Sequence, residues 1–281
     1  MIAFLNGQFM PESQAVVPIN DRGFLYGDGL FETTRVVGGR PFRLAQHLER
    51  LMRGAEFLQI RPPCTPKELH HFAGELIARN EMPEAVLRVT LTRGPGPRGY
   101  WPGEAGPPTL VMTLHKTPPQ ATDSQTVWNL VTSPYRISAA DPFASFKTTS
   151  KILHVMARAD AVARGADEAL LVNSNGEAAE TATGNLFWVY QDKICTVPTG
   201  RGILPGITRA VVLEICQSLG LQTNKRVIKP EALRNAAGIF VTQSTLGLVP
   251  VSVFDGEPVR LSPLVDQLAC AYQELLVSAG D

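Results

Sequence analysis

The apolar positions change period several times along the chain. Residues 2–5 form a short apolar run, Gly7 marks a tight turn, and residues 15–18 read as a second short strand. Residues 31–37, the Gly38-Gly39 turn and residues 41–43 have the spacing of a hairpin. From Leu44 the period lengthens. Leu44, Leu48, Leu51, Ala55 and Leu58 recur at helical spacing and predict an amphipathic helix over residues 44–57. A second helix is expected over residues 66–80, with Thr65 as its N-cap and Lys67 and Glu68 in its first turn. Strands are expected at residues 85–92 and 109–114, on either side of a Gly/Pro-rich stretch. Beyond residue 125 the expected strands are 127–132, 169–172, 186–190, 193–197 and 239–242, with Gly176 in a turn. The expected helices are 150–164, ended by Gly165, 208–219, ended by Gly220, and 262–278.

Helices and strands alternate irregularly in both halves, so the expected class is α+β, built as two α/β domains. The chain has 281 residues, which suits two modest domains better than one. The stretch 118–124 has two adjacent prolines and no apolar pattern, which makes it the expected linker between a smaller domain (1–117) and a larger one (125–281). Lys and Arg balance Asp and Glu at 26 each, so no polyanion or anionic membrane surface is an expected partner, and any positive site must be local. With no signal-like start and no apolar run of membrane-spanning length, a cytoplasmic location is expected. The four cysteines lack C-x-x-C spacing and the five histidines lack H-x-x-x-H spacing. Neither a disulfide framework nor a metal site is expected.

Several segments could carry chemistry. Gly94 to Gly99 satisfies G-x-G-x-x-G, but its prolines cannot open the helix that a dinucleotide turn requires. It reads as a loop, either plain surface or one carrying Arg98 and Tyr100 into a pocket. Leu204-Pro205-Gly206-Ile207-Thr208-Arg209 leads into a helix, where free backbone N–H groups can bind an anion. A Thr208 cap with no ligand is the alternative. The hydroxyl cluster Thr242-Gln243-Ser244-Thr245 ends a strand and suits either a turn or phosphate donors. Lys147 stands in an extended segment between Phe146 and Thr148, where partial burial would make it nucleophilic, although exposure is the commoner fate of a lysine. Lys151, expected inside the following helix, has exposure as its default.

The order of these pieces resembles the class IV aminotransferases, the fold-type IV enzymes that use pyridoxal 5'-phosphate (PLP). The matching blocks are Asp21 through Glu32 (D-R-G-F-L-Y-G-D-G-L-F-E), His47-Leu48-Glu49-Arg50-Leu51, Lys147, and Asp167-Glu168-Ala169-Leu170-Leu171. They continue with Glu180 through Phe187, Gly206-Ile207-Thr208-Arg209, and Thr242 through Val251, so that nearly the whole chain is covered.

The resemblance implies that Lys147 is the Schiff-base lysine and general base, and that Glu180 partners the ring nitrogen. It further implies that Arg50, the N–H groups of Ile207 and Thr208, and the hydroxyls of Ser244 and Thr245 hold the phosphate. Arg93 through Tyr100 is similar to the R-G-x-G-x-R-G-Y loop of aminodeoxychorismate lyases, and residues 27–35 are similar to theirs as well. D-amino acid aminotransferases also place an arginine in this loop, usually with histidine at the position of Tyr100. Arg98 is thus the expected substrate-carboxylate residue, and Tyr100, Tyr26 and Phe31 are candidate pocket residues, with core packing the alternative for Phe31. The leading expectation is a PLP-dependent 4-amino-4-deoxychorismate lyase, releasing 4-aminobenzoate and pyruvate in folate precursor synthesis. The alternative is a D-amino acid or branched-chain aminotransferase. The chain departs from the lyase pattern at Ser150 and at Gln243-Ser244-Thr245. The family also implies a homodimer with PLP between the two domains of each chain and a small amino compound as substrate.

Overall fold

The computed structural model describes residues 1–117 and 126–278, so the expected linker at 118–124 lies outside the described residues. The chain forms two compact units. The first comprises Met1–Thr117, Phe146–Ser150 and Leu276–Asp281, and the second comprises Pro118–Ser145 and Lys151–Leu275. Phe146–Ser150, with Lys147, therefore groups with the first unit and not with the rest of residues 125–281.

In chain order the first unit contains β1 (Ile2–Leu5), β2 (Gln8–Pro11), α1 (Arg22–Tyr26), β3 (Gly29–Val37), β4 (Arg40–Pro41), α2 (Leu44–Phe57), α3 (Pro66–Asn80), β5 (Ala85–Thr92) and β6 (Thr109–Lys116). The strands make one antiparallel sheet in the order β2-β1-β6-β5-β3-β4. Leu30, Val36, Leu87, Val89, Leu91, Met112 and Leu114 alternate onto one face and meet Leu44, Leu48, Leu51, Leu69 and Leu76 of α2 and α3. Thr65 and Glu68 cap α3 reciprocally, as the S/T-x-x-E pattern predicts. Residues 15–18 are not a strand. The chain instead turns back at Asn6-Gly7, both at positive φ, and β2 pairs with β1 from Leu5 opposite Gln8.

The second unit contains β7 (Trp128–Ile137), α4 (Ile152–Ala163), β8 (Glu168–Asn173), β9 (Ala178–Thr181), β10 (Asn185–Tyr190), β11 (Lys193–Thr196), α5 (Ile207–Ser218), β12 (Thr223–Lys225), α6 (Pro230–Leu233), β13 (Gly238–Gln243), β14 (Gly247–Phe254), β15 (Glu257–Pro258) and most of α7 (Pro263–Ser278). Its main sheet runs β12-β11-β10-β13-β14-β7-β8-β9, and β9 also pairs with β10, Glu180 opposite Asn185. That last pairing closes the strands from β10 round to β9 on themselves. Leu130, Leu170, Leu186, Trp188, Val241 and Val249 fill the resulting core, and α4 packs through Ala157 and Ala161 against Val131, Ala169 and Leu171. Among the described residues no helix is long and apolar enough to cross a membrane.

Candidate active site

In the first unit Lys147 is positioned by its backbone. The extended segment 147–149 adds to the free edge at the start of β3. Phe31 N donates to Lys147 O at 2.8 Å, Thr149 N donates to Gly29 O at 2.9 Å, and Leu30 bridges Thr148. Phe146 anchors the segment from the other side by packing its ring 4.6 Å from that of Phe57 on α2. The turn before β3 is closely fitted to it: Gly27, at φ 66°, lies where a Cβ would come 2.5 Å from Ser150 Oγ, and Thr149 Oγ1 donates to Gly27 O at 2.7 Å. Lys147 is partly buried, and its Nζ stands 4.8 Å from the centroid of the Phe31 ring. Phe31 is also partly buried, on the sheet face away from the α2 core.

Arg50 lies on the inward side of α2 and is 4% exposed. Its Nε and Nη2 form a fork on Glu32 of β3, each bond 2.8 Å long, so this edge of the guanidinium is spent within the protein. His47, one turn earlier on α2, places Nδ1 2.7 Å from the second Glu32 oxygen. Burial pushes the Glu32 carboxyl up, but the hydrogen bonds from Arg50 and His47 more than offset it and hold the group at about 2. Burial lowers the pKa of His47 despite its carboxylate neighbour, which keeps the ring neutral with Nδ1–H as the donor.

The loop after β5 contains no helix, as its prolines require. Asp28 binds Arg22 at 2.9 Å and Arg93 at 2.7 Å, and these two arginines hold its carboxyl below the usual range against the opposing effect of burial. Arg22 donates onward to Gly99 O and Tyr100 O, while Gly99 N donates to Tyr26 Oη at 2.9 Å. The loop backbone is thereby tied to α1, with the Tyr26 and Tyr100 rings 5.6 Å apart and the side chains of Arg98 and Tyr100 exposed.

In the second unit Glu180 lies on β9, where the sheet closes. Its Oε2 accepts from Leu204 N at 2.9 Å and from Asn185 Nδ2 at 3.4 Å, and its Oε1 faces His154 Nε2 at 3.6 Å. Asn185 also donates to Leu204 O at 2.8 Å, so one amide binds the 204–206 turn to the carboxylate. The residue that caps α5 is Gly206, with no side-chain cap bond, and Thr208 lies inside the first turn. Thr208 is therefore not the cap, and no side chain of the cap residue satisfies the first-turn N–H groups. A Cβ on Gly206 would come 2.0 Å from Asn185 Oδ1, so a side chain there would have to displace that amide.

Of the hydroxyl cluster, Thr245 Oγ1 donates to Gln243 Oε1 at 2.8 Å and Ser244 is partly buried in the β13–β14 turn. Thr242, opposite Asn185 in the sheet, is 2% exposed and its Oγ1 has no hydrogen-bond partner among the described residues. Lys151 stands just before α4, not within it, and is partly buried.

These groups fit PLP by their chemistry. The first unit holds a partly buried lysine and a buried, pre-oriented arginine. The second holds a fixed carboxylate, a helix start capped by glycine and an orphaned hydroxyl, which suit a pyridine N–H and a dianion. Sequence reasoning assigned no role to Glu32, His47 or Asn185, and placed Thr242 only within the hydroxyl cluster that suits a turn or phosphate donors. A polar residue at an inward position of an alternating strand, as Glu32 is between Leu30 and Thr34, was the signal available for the first. His47 and Arg50 share the inward face of α2 with Leu48 and Leu51.

The family model for class IV aminotransferases matches residues 29–254. The D-alanine aminotransferase of Bacillus licheniformis is 30% identical over 283 residues, covering 99% of this chain and 98% of that protein. The aminodeoxychorismate lyase of Bacillus subtilis is 29% identical over 251 residues, covering 88% and 84%. The crystal structure of a branched-chain aminotransferase from Thermoproteus uzoniensis superposes with a TM-score of 0.92 at 26% identity, covering 99% of this chain and 95% of that one. The chain belongs to the class IV aminotransferases, with the α+β fold of the fold-type IV enzymes and PLP as its cofactor.

Proposed function

We propose that this chain is an aminotransferase that moves an amino group between a carboxylate-bearing amino acid and a 2-oxo acid. The observation that carries this reading is the end-to-end likeness to an aminotransferase, 99% of one chain on 98% of the other, joined to a lysine held in place by β3. When bound, PLP supplies an electron sink for negative charge at the substrate Cα. Lys147 would carry the cofactor and, once released by the incoming amine, take the Cα proton on Nζ and return it. Glu180, fixed by Leu204 N and Asn185, would accept the ring N–H. Arg50, the N–H groups of Ile207 and Thr208, and the hydroxyls of Ser244, Thr245 and Thr242 would hold the phosphate. Arg98 would meet a substrate carboxylate, with Tyr100, Tyr26 and Phe31 shaping the pocket. A homodimer is the proposed assembly.

A second reading, 4-amino-4-deoxychorismate lyase, is favoured by one feature: the Arg93–Gly99–Tyr100 loop and its fixation by Arg22 and Tyr26. One experiment separates them. Incubation with an amino acid and 2-oxoglutarate should yield glutamate and shift the cofactor's visible band to the pyridoxamine form. Release of 4-aminobenzoate and pyruvate from aminodeoxychorismate without an acceptor, and no glutamate from any donor, would establish the lyase instead. Lys147→Ala should lose the visible band under either reading.

A further inference from the structure

The second unit holds a cavity of about 280 Å³ that is lined by none of the residues proposed for PLP or substrate. A bulge in β7 helps to build it. Thr132 pairs with Leu170 of β8 and Arg136 pairs with Val172, so between them β7 spends two residues more than its neighbour. Pro134, which has no N–H to give to the ladder, stands in the bulge. Past it Arg136 lines the cavity from β7, Glu231 lines it from α6, and Arg234 lines it from the end of α6.

Three of the charges around this cavity are unspent. The side chains of Arg136, Arg234 and Glu231 make no ion pair or hydrogen bond among the described residues. Glu231 and Arg234 are three positions apart, a spacing at which helical pairs can meet, yet they stand apart beside the cavity. The fourth charge is fixed: Asp255 accepts from Thr132 N at 2.6 Å and from Thr132 Oγ1 at 2.8 Å. Two cations and two carboxylates around one space decide what it can take. A plain anion such as phosphate would gain from the arginines and be opposed by Glu231 and Asp255. A molecule with both a carboxylate and an ammonium group meets all four with opposite charge, and the guanidinium fork matches its carboxylate in geometry. Val172 and Pro230, both buried, add an apolar wall for a short side chain. At about 30 Å³ per water, the space is that of roughly nine waters, which suits a ligand of similar size.

We propose that this cavity is a second small-molecule site, separate from the cofactor, which binds a small zwitterion of the amino-acid type without transforming it. Arg136 and Arg234 take the carboxylate and Glu231 takes the ammonium group, while Asp255, anchored by Thr132, fixes the wall between them. Nothing in this site requires Lys147 or bound PLP.

The test is a calorimetric titration of the PLP-loaded protein with N,N-dimethylglycine, which carries both charges but, as a tertiary amine, cannot displace Lys147 from the cofactor. Arg136→Gln and Arg234→Gln should each weaken binding about 10-fold or more, the usual worth of a charge-assisted pair, and the double variant should lose it. Glu231→Gln should weaken it as well. All three side chains are exposed, so the variants should keep the wild-type melting temperature and the cofactor's visible band. Lys147→Ala should bind the probe as the wild type does; loss of binding there would place the probe at the cofactor and overturn the proposal. Wild-type affinity in the double arginine variant would overturn it too, as would no binding by the wild type up to about 10 mM. Inorganic phosphate binding more tightly than dimethylglycine, and more tightly still in Glu231→Gln, would make the cavity a plain anion site and overturn the zwitterion assignment.

Discussion

Glu32 is 2% exposed beneath the basic groups of His47 and Arg50, and its energetics can be read through pH. Its carboxyl ionises near 2 in the folded chain against an ordinary 4.5, so the unfolded state binds the proton more readily. The resulting stabilisation is fully present above about 4.5 and is lost as pH falls toward 2. His47, whose pKa is lowered from 6.5, acts in the same direction: it resists protonation when folded, and stability declines as pH falls below 6.5. Glu32→Gln should destabilise the protein by about 3 kcal/mol at pH 7, because Arg50 is left buried without its partner. It should also flatten the acid limb below pH 4.5. Equilibrium urea unfolding from pH 3 to 8 checks both, and an acid limb identical to wild type would remove Glu32 from this role. Lys147 stood out as a candidate in the sequence through its neighbours in the family pattern. Glu32 was not, because its partners lie one turn apart on a helix 15 and 18 positions away. A carboxylate in a strand reads as solvent-facing until the helix above it is placed.

At the scale of elements, strong periodicity was legible and short buried strands were not. The helices 44–57 and 66–80 stand where their apolar spacing and the Thr65 cap put them. β9, which carries Glu180, is four residues long and buried throughout, so it offers neither alternation nor length to detect. β14 was hidden by Pro250, a residue that argues against a central strand. The sheet accommodates it because the pairing of β14 with β7 begins only at Val251.

The turn from Leu204 to Gly206 shows what such details do for the site. Gly206 has an ordinary φ of −65°, so alanine there is limited by space and not by backbone strain. Its Cβ would displace Asn185 Oδ1 and with it the amide that joins Leu204 O to Glu180. Gly206→Ala should therefore fold and yet bind PLP more weakly by about 1–3 kcal/mol, the cost of unmaking a buried hydrogen bond. Titration of the apoprotein followed at the visible band measures this. Wild-type affinity would mean that Asn185 is not needed to hold Glu180 in place.

For the whole molecule, composition and charge excluded function classes without selecting one, and only the ordered set of motifs from Asp21 to Val251 pointed to a cofactor. What no linear reading supplied was the membership of Phe146–Ser150 in the first unit, since that follows from hydrogen bonds to β3 across more than a hundred residues. The grouping bears on stability. The residues proposed to hold PLP are divided, with Lys147 and Arg50 in the first unit and Glu180, Ile207, Thr208 and Ser244 in the second. A ligand that binds only the folded state raises stability by RT ln(1 + [L]/Kd), about 2.7 kcal/mol at a hundredfold excess over Kd. If both sets of residues contact PLP, both units must gain from it. Calorimetric scans of PLP-free protein and of protein with rising PLP should then show every unfolding transition moving upward together. The shift should grow with the logarithm of free PLP, and Lys147→Ala should reduce it without abolishing it, because the phosphate contacts remain. A shift confined to one transition would assign the cofactor to one unit alone and would require the list of PLP-binding residues to be redrawn within it.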